Sequence, residues 1–143
     1  MNKKMIAISG GFDPIHVGHI RMIEEASKHG SVLVILNSDD WLQRKKGYVF
    51  MAWKERAYIM GNIKGVSVVT NVDDSDDTVC QALRRHKPDA FANGGDRKSN
   101  NTPEMQLCSD LDIELLWNIG GEKVQSSSEL VTNSQNQKGA KHV

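Results

Sequence analysis

Five short apolar runs, each bounded by turn residues and separated by segments of helical period, restrict the fold of this chain more than any other feature. "KMIAIS" (Lys4 to Ser9), "SVLVIL" (Ser31 to Leu36), "VSVVT" (Val66 to Thr70), "DAFA" (Asp89 to Ala92) and "IELLW" (Ile113 to Trp117) read as strands. Unbroken apolar character, as in Ser31 to Leu36, is what a strand needs when helices cover both faces of its sheet. Between the strands, Val17 to His29 sets Ile20, Ile23 and Ala26 on one helical face, and Trp53, Ala57, Met60 and Ile63 recur at intervals of three and four. The acidic run "DDSDDT" is expected to cap and charge the start of a helix that runs through His86 and ends before Pro88. Thr102 and Pro103 read as an N-cap and first-turn pair, with Met105, Cys108 and Leu111 on the inner face that follows. Asn37 to Tyr48 reads as a polar, basic connection, and Ser128 to Asn133 as helical. Strands alternating with helices imply an α/β protein with a doubly wound parallel sheet, whose ligands bind beyond the carboxyl ends of the strands.

Length and composition narrow the function. A chain of 143 residues suits one domain, here residues 1–132, followed by the tail "NSQNQKGAKHV" (133–143), which has no apolar periodicity and is expected to be disordered. Acidic and basic residues balance at 18 each, which argues against a general nucleic-acid binder. No apolar run reaches the ~20 residues of a membrane span, and the apolar part of the start is too short for a secretory signal. Cys80 and Cys108 stand far apart and read as buried small hydrophobes in a reducing compartment, so the expected location is the cytoplasm.

Chemistry concentrates after the first strand, in "GGFDPIHVGHI" (Gly10 to Ile20). Gly10 and Gly11 let the backbone turn sharply and approach a bound group, and the helix that follows offers unpaired N–H donors suited to a phosphate. His16 and His19, three apart, share a face on the first helical turn, and Gly18 keeps bulk out of the cleft between them. A loop whose histidines only cap and pack is the plain alternative. A zinc site would need further ligands, and neither cysteine lies near. The residues match neither the P-loop nor the dinucleotide fingerprint. Asp13 offers a contact behind the phosphates, or with Pro14 simply shapes the turn.

"GGFDPIHVGH" resembles the first motif of the cytidylyltransferase-like nucleotidyltransferase superfamily, whose core is H-x-G-H. Residues 4–131 are similar throughout to small glycerol-3-phosphate cytidylyltransferases and to the adenylyltransferase domain of ADP-heptose synthesis. Class I aminoacyl-tRNA synthetases share the H-x-G-H core but are much longer. The resemblance implies a Rossmann-like sheet of five parallel strands in the order 3-2-1-4-5, and an enzyme that moves a nucleoside monophosphate from a triphosphate to a small phosphorylated alcohol or sugar, releasing pyrophosphate. His16 and His19 would stabilise charge at the α-phosphate, with Gly10, Gly11, Phe12, Asp13 and Gly18 around the nucleotide. In "NSDDWLQRKKGY", Lys46 matches a phosphate-contacting lysine beside Lys45, and Arg56 in "WKER" matches an arginine directed at the acceptor. Asp96 in "NGGD" would bond the ribose, although Arg97 stands where both branches usually carry an aromatic. Ser126, Ser127 and Ser128, a helix start with a capping box to Glu129, would hold the β- and γ-phosphates, with Lys123 in place of an upstream arginine.

"RKKGY" leans to the cytidylyl branch and "GGD" to the adenylyl branch, with CTP slightly favoured over ATP as donor. Magnesium is expected to ride on the triphosphate. Family members are commonly homodimers, and Trp41, Trp53 and Trp117 are candidates for an interface or for the core. A module that senses a nucleotide without reacting is the alternative function.

Overall fold

A computed structural model describes residues 4–92, 102–117 and 119–120. Five parallel strands, β1 (Met5–Gly10), β2 (Ser31–Leu36), β3 (Val66–Thr70), β4 (Ala90–Ala92) and β5 (Glu114–Leu116), form one sheet in the order β3-β2-β1-β4-β5. The order reverses beside β1, the central strand, so the crevice where ligands bind in such sheets opens at its carboxyl end. The helices are α1 (Val17–Ser27), α2 (Asp39–Lys46), α3 (Trp53–Gly61), α4 (Cys80–His86) and α5 (Thr102–Asp110).

Strand alternation divides the core into two layers. Ile6 and Ile8 of β1, Val32, Val34 and Leu36 of β2, and Ala90 and Ala92 of β4 join Ile23 and Ala26 of α1 and Met60 of α3 on one face. Ala7, Leu33, Ile35 and Phe91 point to the other face, against Ala82 and Leu83 of α4 and Cys108 of α5. Ala7 is the register partner of Phe91, so a small side chain on β1 sits beside a large one on β4. Both cysteines are buried and reduced, and burial together with Cys80 pushes the Cys108 thiol up to about 11. That thiol is inert packing, as expected from the sequence. Among the described residues no helix is long and apolar enough to cross a membrane.

Three local expectations change. Asn37 to Tyr48 is not a connection only: it holds α2, capped by the Ser38 side chain accepting from Trp41 N, begun by Asp39 and Asp40, and closed by Arg44, Lys45, Lys46 and a left-handed Gly47. The acidic run does not cap α4, whose N-cap is Val79 with no side-chain bond. Instead Asp73 accepts from Ser75 and Asp76 from Thr78, so those carboxylates hold their own turns. Ile20 is only half-buried on α1, whereas Ile23 and Ala26 carry its contact with the sheet. The expected helix end at His86 holds, with Lys87 left-handed before Pro88. Residues 133–143 and the expected helix at Ser128 to Asn133 lie outside the described residues.

Candidate active site

The loop leaving β1 is fastened from three sides. Gly10 O accepts from Asn37 N at 3.0 Å, which prolongs the β1–β2 ladder into the loop. Gly11 O accepts from Arg56 Nη1 at 2.9 Å. Asp13, fully buried, accepts from Phe50 N and Met51 N, each at 2.6 Å, and so ties this loop to the link between α2 and α3. In a trans peptide the C=O and N–H point opposite ways. With the Gly10 and Gly11 carbonyls turned inward, the N–H groups of Gly11 and Phe12 face away from these anchors, and neither bonds to another described residue. Phe12 accepts a left-handed φ of 50°, a conformation costing a bulky residue roughly 1–2 kcal/mol. Its ring packs into the core beneath His19, edge to face at 4.7 Å between centroids.

The two histidines then build the helix start themselves. His16, in extended conformation, is the N-cap of α1, and its Nδ1 accepts from Gly18 N at 3.1 Å. His19 returns the bond, its Nδ1 accepting from His16 N at 3.1 Å. The rings stack, 3.8 Å between centroids and 21° between planes. A backbone N–H can only donate, so each Nδ1 must be the unprotonated nitrogen and each neutral ring carries its proton on Nε2. The bonds that cap the helix thereby also fix the tautomer and the place of both rings. The plain alternative, that the histidines cap the helix, is therefore true and does not compete with a chemical role.

Lys46 closes α2 half-buried within electrostatic reach of Asp13 and Arg56. Burial lowers its pKa, Asp13 raises it and Arg56 lowers it further. An arriving polyphosphate would favour the ammonium form and oppose the burial effect. Lys45, one residue earlier, is exposed.

Arg56 corrects the sequence reading. Instead of facing an acceptor, its side chain is entirely buried, with Nε donating to Met51 O, Nη1 to Gly11 O and Asn37 O, and Nη2 to Asp39 Oδ1 at 2.6 Å. The signal was available: Arg56 lies three residues after Trp53 and four before Met60, on the inner face of α3. Gly11 is also reinterpreted. A Cβ there would meet Leu42 Cδ2 at 2.7 Å, so the missing side chain makes room for α2.

Asp74 was not singled out by sequence. It is buried and accepts from Asn37 Nδ2, Ser38 N and Ser38 Oγ, while Arg44 bonds its carbonyl and Asp77. It pins the start of α2 to the loop after β3. Gly10, Gly11, Phe12, Asp13, His16, Gly18, His19, Lys46 and Arg56 are thus joined in one network with α2. Trp53 joins the core and donates to Leu36 O. Asp96, Lys123, Ser126, Ser127 and Ser128 lie outside the described residues.

The chain is 33% identical over 115 residues to the bifunctional protein HldE of Sulfurimonas denitrificans, covering 78% of this chain and 24% of that protein. It is 35% identical over 112 residues to HldE of Geobacter metallireducens, covering 76% and 22%. The chain thus spans about a quarter of the length of these curated relatives. Among solved structures, a lipopolysaccharide core biosynthesis protein from Thermoplasma volcanium GSS1 superposes with a TM-score of 0.68 at 21% identity, over 87% of this chain and all of that one. A bifunctional NMN adenylyltransferase/ADP ribose pyrophosphatase from Francisella tularensis superposes with a TM-score of 0.66 at 14% identity, over 94% of this chain and 43% of that one. Both share the fold. The family model described as cytidylyltransferase-like matches residues 7–130, and the chain belongs to that family of nucleotidyltransferases.

Proposed function

We propose that this chain transfers a nucleoside monophosphate from ATP or CTP to a small phosphorylated alcohol or sugar, releasing pyrophosphate. One observation carries the reading: His16 and His19 are stacked at the start of α1 with both Nδ1 atoms engaged by backbone N–H groups, which fixes both rings side by side at the carboxyl end of the central strand with their protons on Nε2. The acceptor's phosphate oxygen attacks the α-phosphorus while the bond to pyrophosphate breaks, so no side-chain nucleophile is needed. The protein aligns the two ligands and neutralises charge as it builds on the α-phosphate and the leaving group. The Gly11 and Phe12 N–H groups and Lys46 bind the polyphosphate. By resemblance, Ser126, Ser127, Ser128 and Lys123 take the β- and γ-phosphates, and Asp96 the ribose. By resemblance the "NGGD" segment supports ATP as donor and the Arg44 to Tyr48 segment supports CTP, which is slightly favoured.

Magnesium fits this reading as a passenger of the triphosphate. Both Asp13 oxygens are engaged by backbone N–H groups, and among the described residues no group of three His, Cys, Asp or Glu could hold an ion. The ion would be held by phosphate oxygens and water, supplying charge neutralisation there. By resemblance to its family the protein works as a homodimer, and its two buried free cysteines support a reducing compartment such as the cytoplasm.

A pyrophosphate-release assay with ATP, CTP, GTP and UTP against a panel of phosphorylated alcohols and sugars tests the proposal. One triphosphate is expected to react with one acceptor class. Silence across the panel, with nucleotide still bound in a calorimeter, would establish the sensing alternative instead.

A further inference from the structure

We infer that Arg56 is a positioning residue that turns the Gly11 peptide and so aims the Phe12 N–H at the polyphosphate. This rests on the reading proposed above and extends it from the groups that touch phosphate to the group that orients them. The guanidinium is the meeting point of three chain segments that are far apart in sequence. It donates to Gly11 O in the loop after β1, to Asn37 O in the loop after β2 and to Met51 O in the link before α3, and it pairs with Asp39 in the first turn of α2. Four of its five N–H donors' worth of directionality is spent on oxygens held by different elements, a planar demand that an ammonium cannot meet.

Asp13 closes the circuit in the reverse direction, from the histidine loop to Phe50 N and Met51 N. Arg56 and Asp13 therefore brace the same two segments with opposite polarity, one through carbonyls and one through N–H groups. The peptide that Arg56 holds by its oxygen is the one whose nitrogen is presented outward, because the two groups of a trans peptide are antiparallel. Burial of the whole side chain keeps it from any ligand, so its influence passes through Gly11 and through the start of α2, the helix that ends at Lys46.

The test uses the full chain with Arg56→Lys, which keeps the charge but loses the fork. Binding of inorganic pyrophosphate and of the reacting triphosphate is measured by calorimetry, acceptor KM by pyrophosphate release, and the Gly11 and Phe12 amides by proton–nitrogen correlation spectra. Both amide resonances are expected to move, affinity for pyrophosphate and triphosphate to fall about tenfold to a hundredfold, and acceptor KM to stay unchanged. Asp39→Ala is the milder companion, since Asp39 is 45% exposed and its loss removes only one of the contacts. It should move the same two amides, with about two- to threefold weaker binding. Unmoved amides in the folded variants would overturn the inference, as would a rise in acceptor KM with anion binding intact. If the unaltered protein binds neither pyrophosphate nor any triphosphate, the proposed function fails, while the amide shifts still decide the role of Arg56.

Discussion

The loop after β1 and the loop after β3 both leave the carboxyl ends of strands and both depend on aspartate, one residue in the first and four in the second, yet they do different work. In the first, Asp13 is buried and its donors, Phe50 N and Met51 N, come from 37 and 38 residues away. In the second, Asp73 and Asp76 are exposed and take donors two residues on, from Ser75 and Thr78. Asp74 is the exception within that loop, buried and bonded to Asn37 and Ser38. The same residue type is a local turn-former in one setting and a brace between distant segments in the other. What separates them is the origin of the donors and the burial of the carboxylate.

Four substitutions would break or sharpen this contrast. The largest effect belongs to the histidines that the first loop delivers: His19→Ala should lower turnover roughly 100- to 1,000-fold, read as initial rates at saturating substrate. Lost capping should cost only about 1 kcal/mol in denaturant unfolding, so near-normal turnover in that variant would remove the chemical role. Next, Asp13→Asn turns an amide NH2 toward one of two buried N–H groups and should cost about 2–3 kcal/mol in urea unfolding. Asp74→Asn can turn its new amide NH2 toward the Ser38 hydroxyl, which can accept as well as donate, and about 1–2 kcal/mol is expected from the same measurement. Asp76→Ala, which removes bonds within an exposed turn, should stay within about 0.5 kcal/mol. A loss from Asp76→Ala as large as that from Asp13→Asn would void the distinction.

Much of the sheet was legible because its inner strands are buried on both faces, which leaves unbroken apolar runs such as Ser31 to Leu36 that need no tertiary information to recognise. The histidine motif was legible because its two ring positions and the glycine between them are local. Helix α2 was not, since Leu42 is its only buried residue and it presents no apolar stripe. Its signs were electrical and conformational instead: Ser38, two first-turn acids, three last-turn cations and Gly47. Arg56 was assigned to the acceptor by resemblance alone, and only the carbonyls gathered around it show that its side chain turns inward. Asp74 acts on Asn37 and Ser38, more than thirty residues away, and no local pattern announces such a contact.

The seat of Gly11 under Leu42 joins two positions that sequence distance keeps apart. A methyl group added at the first must push aside the end of the second, which is itself fully buried. Gly11→Ala should therefore be better tolerated alongside a trimmed side chain at position 42, and a library randomising both sites together would enrich compensating pairs. In descendants of this chain, the two positions would be inherited as one trait.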